Sequence, residues 1–231
     1  MRRLALAAAL LTFAACSIRS LPPDATGTTP PGTPGSKPGS PAPGGSSPLP
    51  PNPGATVGGA HPTPGTTYQE LAAVGAMAKT YLRSSPARSL VVEVDWMSGR
   101  KPSSAALSHL ESILKRELSK PDGVDVRLGA EMVITRTSWT VADLVAAEKQ
   151  FRSEHSAGSR ATMWIAYLGG SFAENDSALG AAFAASAAVV FRDRIGEATS
   201  AILLASEIER SVIVHEAGHL LGMVNIGYQS A

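Results

Sequence analysis

A small α/β domain, a mixed sheet of about four strands with helices packed on it, is the fold this sequence predicts for its last 160 or so residues. Two observations carry that expectation. Aliphatic runs of strand length alternate with stretches whose apolar residues recur every three to four positions. Turn signals such as Pro121-Asp122-Gly123 separate them. Four strands are few for a doubly wound sheet, and no Gly-rich phosphate loop is present; Gly169-Gly170 is a lone pair.

The elements follow in order. Tyr68 to Leu82 reads as an entry helix, with Leu71, Val74, Met77 and Tyr81 at helical spacing. Ser89 to Trp96, SLVVEVDW, is valine-rich and reads as the first strand. Pro102-Ser103-Ser104 opens a helix whose Ala106, Leu107, Leu110, Ile113, Leu114 and Leu118 keep a period near 3.6. Val124 to Leu128 is the second strand. Thr140 caps a further helix with Val141, Leu144, Val145 and Phe151 among its apolar positions. Ala161 to Leu168 is the third strand, and Gly169 to Leu179 is loop-like. Ala184 to Phe191 is a fourth strand, although its alanines also suit a helix. Ile202 to about Val224 is helical, with a break expected near Arg210.

Ahead of this domain, expected to span residues 67–231, the composition changes. Fourteen of the 17 prolines fall between Ile18 and Thr66, with many Gly, Ser and Thr and almost nothing to bury. Such a segment cannot offset its ordering entropy, and residues 16–66 read as a disordered tether. Residues 1–15 read as a secretory signal, with Arg2 and Arg3 ahead of an uncharged apolar stretch from Leu4 to Ala15. Twelve helical residues rise about 18 Å, short of a bilayer core of about 30 Å. Phe13-Ala14-Ala15-Cys16 resembles a bacterial lipobox, with Phe13 in place of the more usual Leu. The resemblance implies that Cys16, the sole cysteine, is lipidated and anchors the chain to the cell envelope, periplasmic or surface-exposed. With no other cysteine, the domain has no disulfide to rely on.

Chemistry concentrates near the end, in SVIVHEAGHLLGMVNIG from Ser211 to Gly227. His215-Glu216-Ala217-Gly218-His219 is an H-E-x-x-H string. On a helix, residues four apart share a face, so both imidazoles can reach one metal ion. Nitrogen donors at this spacing suit zinc, with His215 and His219 as ligands. Zinc acidifies a water it holds, and Glu216 is placed to take that water's proton and pass it to a leaving amine. The flanking Val212, Ile213, Val214, Leu220 and Leu221 make a mostly buried helix, in which such polar groups would be costly without a partner.

Gly222 extends the string to H-E-x-x-H-x-x-G, and here the residues resemble the metzincin-like zincins, whose helix turns at that glycine toward a third ligand. The longer HEAGHLLGMVNIG, with VVEVDWMSG, MWIAYLGG and LGAAFAASAAVVFRD upstream, is similar to a group of predicted bacterial zinc-dependent lipoproteins. The resemblance implies a zincin-like fold and a zinc-dependent metallopeptidase acting on peptide or protein substrates. Three residues past Gly222, where those families place His or Asp, this chain has Asn225, and no good ligand follows it. Either the chain is a C-terminally truncated form of a longer peptidase, or the site is degenerate; a terminal carboxylate, or an acidic loop residue such as Glu174 or Asp176, could substitute as ligand. The alternative function is a catalytically inactive lipoprotein serving as a binding or structural module. His109 and His155 read as solvated helix-face residues. Lys+Arg at 20 against Asp+Glu at 19 leaves no electrostatic footprint for nucleic acid.

Overall fold

In the computed structural model, residues 68–200 and 204–224 are described. The signal segment, Cys16, the tether and Asn225 lie outside them. Strands β1 (Ser89–Met97), β2 (Val124–Met132), β4 (Arg160–Leu168), β6 (Gly180–Ala184) and β7 (Ala187–Phe191) form one sheet in the order β2-β1-β4-β7-β6. The first four strands in that order run parallel, and β6 pairs antiparallel with β7. Two short strands, β3 (Ser138–Trp139) and β5 (Ser171–Phe172), pair apart from it. The chain is therefore α/β with a mixed sheet, one strand larger than the sequence pattern predicts.

The period of two along each strand sorts side chains onto two faces. From β4, Ala161, Met163, Ile165 and Tyr167 enter one core, while Trp164, Ala166 and Leu168 enter the other. The first core is covered by α2 (Ser104–Glu117) through Ala106, Leu110 and Leu114, and by α5 (Ala205–Leu220) through Val212, Ile213, Ala217 and Leu220. The second is covered by α3 (Val141–Phe151) through Leu144, Ala147 and Phe151, with Trp139 and Phe172 from the small pair. With both faces covered, β4 is buried along nearly its whole length, which explains its continuous apolar run.

Caps fix the helices where expected. Ser103 Oγ accepts from the Ala106 amide at the start of α2, and Thr140 with Asp143 forms a reciprocal capping box on α3. Two further helices, α1 (Ala78–Leu82) and α4 (Arg192–Ala198), are short. The last helix runs unbroken through Arg210, where a break was expected.

Two expectations are corrected. Of the entry helix over Tyr68 to Leu82, only Ala78–Leu82 is helical. Residues 69–77 form successive turns, Gly75 adopts a left-handed φ of 81°, and the carbonyls of Glu70 and Ala72 accept from the Ser186 and Ala185 amides. The left-handed Gly75 and these long-range bonds hold the segment in turns in place of a continuous helix. Of the strand expected over Ala184 to Phe191, Ala187–Phe191 is β7; Ala184 ends an additional strand, β6, and those same bonds anchor the turn between the two. In β2, a register shift opposite Asp95 marks a bulge at Gly129 and Ala130. Asp95 Oδ1 accepts from the Ala130 amide at 2.6 Å, and a Cβ at Gly129 would sit 2.1 Å from that oxygen.

Among the described residues, no helix is long and apolar enough to cross a membrane.

Candidate metal centre

His215, Glu216 and His219 lie on one helix, α5, whose apolar face holds it against α2 and the β6–β7 hairpin. The 3.6-residue period brings the two histidines into register one turn apart. Their rings stand at 90° to each other with centroids 4.8 Å apart, and their Nε2 atoms are 3.2 Å apart. His219 is 2 % exposed and His215 is half-buried. Burial lowers the His215 pKa, and burial together with the neighbouring His215 pushes His219 down to about 4. At neutral pH both rings therefore carry a lone pair. His219 Nδ1 is buried with no hydrogen-bond partner among the described residues.

The Nε2 separation tests the fit to zinc. With Zn–N near 2.05 Å and a tetrahedral angle, two imidazole nitrogens on one ion stand about 3.3 Å apart. The observed 3.2 Å matches that bite. The two histidines thus fit a zinc ion as a pair, and the same spacing lets one ring donate N–H to the other when no ion is between them. Among the described residues, no group of three or more His, Cys, Asp or Glu side chains is placed to hold a metal. Glu174 and Asp176 are exposed on the loop after β5 and form no such group with the histidines.

Glu216 projects into the sheet side of α5 and is 2 % exposed. Its neighbour is the backbone of Gly180, the first residue of β6. A Cβ at Gly180 would lie 2.6 Å from Glu216 Oε1 and 2.7 Å from its Cγ. The strand therefore begins with the one residue that leaves room for the carboxylate. Sequence reading passed over Gly180, because a glycine after a loop looks like turn punctuation; only the register of β6 against α5 shows what it accommodates.

The helix ends in a tight reversal at Gly222. Gly222 has φ of 65°, its amide donates to the His219 carbonyl, and the Met223 amide donates to the Gly218 carbonyl at 2.9 Å. This pair of bonds is a Schellman motif, which a left-handed glycine makes possible. The chain then turns back on the helix. A Cβ at Gly218 would meet Val224 Cγ2 at 2.8 Å, so both glycines of the string are needed for the reversal.

The remaining histidines lie elsewhere. His109 is exposed on α2, as expected. His155 is not on a helix face: it follows α3 and pairs through Nδ1 with Glu70 Oε2 at 2.9 Å.

Comparison of the chain with protein-family models, with curated proteins and with solved structures finds no match.

Proposed function

We propose that this chain is a zinc-dependent metallopeptidase of zincin-like architecture, held at the bacterial cell envelope through a lipid on Cys16. The observation that carries the reading is the 3.2 Å convergence of two imidazole Nε2 atoms beside a buried glutamate. The zincin-like reading is supported by the mixed sheet, whose antiparallel strand β6 runs against the motif helix, and by the turn at Gly222.

His215 and His219 would hold the ion. A bound zinc ion supplies a Lewis acid that polarises a carbonyl and acidifies water. Glu216, kept from bulk solvent against Gly180, accepts the proton of the attacking water and returns it to the amine as the peptide bond breaks. The tight fit around its carboxyl group restricts its rotamers, so it is oriented before substrate arrives.

The test is made on the purified full chain. Stoichiometric zinc and chelator-sensitive turnover of a mixed peptide library are expected. Glu216→Ala should lower turnover by at least about a hundredfold while zinc stays bound, and His219→Ala should release zinc. A chain that binds no stoichiometric zinc overturns the proposal. Weak zinc binding without hydrolysis would instead identify the catalytically inactive binding module.

A further inference from the structure

The end of the domain where α1 leads into β1 carries an unusual concentration of unneutralised charge. Lys79 and Arg83 stand four residues apart, on α1 and at its C-cap, and both are exposed. Neither has a carboxylate partner among the described residues. Every other described arginine does have one. Arg83 is therefore an exception in a chain that otherwise matches its guanidinium groups to acids.

The two cations share a cavity. With Ser84, Ser85, Pro86 and Ser119 they line a space of about 520 Å³. Among the described residues, no acidic side chain lines it. Helix C-terminal carbonyls would ordinarily repel an anion at this position. Here Lys120 Nζ donates to two of them, the carbonyls of Thr80 and Arg83, at 2.6 and 2.5 Å, and to the nearby Ala87 carbonyl at 2.6 Å. Burial lowers Lys120 only to about 8, so it still carries its proton at pH 7. The cavity thus combines two free cations, three serine hydroxyls and a third positive charge behind the wall.

We propose that this cavity binds a phosphate ester. The Arg83 fork and the Lys79 ammonium match anionic oxygens, and serine hydroxyls can donate to the remaining acceptors. The space leaves room beside a phosphate group for the small polar organic part of an ester. Such a group could come from a free phosphorylated metabolite or from a lipid headgroup.

The experiment uses the full chain produced in the cytosol, so that Cys16 is not acylated. It is titrated with glycerol 3-phosphate, with glycerol as uncharged control, and separately mixed with vesicles of phosphatidylglycerol or of phosphatidylcholine. Saturable binding of glycerol 3-phosphate alone assigns a free ester. Selective capture by phosphatidylglycerol vesicles alone assigns a headgroup. In either case, Lys79→Gln with Arg83→Gln should weaken binding at least about tenfold with an unchanged circular dichroism spectrum. Should the double variant fold poorly, Ser119→Asp, which adds a carboxylate to the wall, should weaken binding in the same way. Binding in neither arm, or equal binding by wild type and variants, overturns the proposal.

Discussion

At the scale of single residues, glycines decide whether the HExxH string can be built. Gly180 and Gly218 each stand where a methyl group would overlap a neighbour, Glu216 in one case and Val224 in the other. The two neighbours differ in their freedom to yield. Val224 follows a turn, whereas Glu216 is enclosed between α5 and β6. Gly180→Ala should therefore displace the carboxylate. We expect a loss of roughly 1–3 kcal/mol in denaturant unfolding, the usual cost of overpacking. On the proposed function, peptide turnover should fall further than stability alone explains, while zinc content is unchanged. Gly222→Ala acts through the backbone instead: a left-handed φ costs about 1–2 kcal/mol once a Cβ is present. That His215, Glu216 and His219 share one helix was legible in the sequence, because the apolar residues around them suit a buried helix. Gly180 was not, because its role depends on a strand 36 residues away in sequence from Glu216 and the sequence gives no hint of that contact.

At the scale of elements, legibility tracks how local the determining forces are. The β1 and β4 runs, the helix opening at Pro102-Ser103-Ser104 and the cap at Thr140 are all set by near neighbours, and the structure places them as expected; the Asp143 partner that completes the capping box is an addition. The β6–β7 hairpin is not local. Its turn at Ala185-Ser186 has none of the residues that mark turns strongly, and it is held by carbonyls of Ala72 and Glu70. The same anchor is reinforced by side chains. Buried Arg152 donates to Glu70, Glu148, Ser186 and Thr162, and Glu70 also accepts from the Ser156 amide. This network ties the opening turns, the end of α3, β4 and the hairpin together. Arg152→Met should cost about 3–5 kcal/mol, because it strands buried carboxylates without a partner. Hydrogen exchange should show the hairpin and residues 69–77 loosening together rather than separately.

For the whole molecule, two buried carboxyl groups give stability opposite dependences on pH. Burial raises the Glu70 pKa, but His155, Arg152 and Ser156 outweigh it and hold the group at about 2. Its folded pKa lies below the unfolded value near 4.5, so its contribution is complete above that value and is lost as pH falls toward 2. Asp95 behaves the other way. Burial, then the nearby Glu93, raises it to about 7, despite hydrogen bonds from the Ala130 amide and Trp164 Nε1. Between its unfolded value of about 4 and 7 the folded state holds the extra proton, so stability from this group declines as pH rises through that window. Urea unfolding should show wild type gaining roughly 2–4 kcal/mol on Asp95→Asn as pH is lowered from 7 to 4. A difference that stays constant over that range would contradict this account. Wild type should also lose its advantage over Glu70→Gln between pH 4.5 and 2.

The bulge that seats Asp95 also interrupts an edge strand of the sheet. β2 lies at one edge of the sheet, where a flat, regular strand could recruit the same strand of a neighbouring molecule. Gly129 and Ala130 interrupt the repeat in its second half, and Asp125, Arg127 and Glu131 set charges of both signs along its length. A buried acid that lowers stability at neutral pH thus sits in the irregularity that breaks up an edge where backbone amides and carbonyls would otherwise offer a regular pairing template.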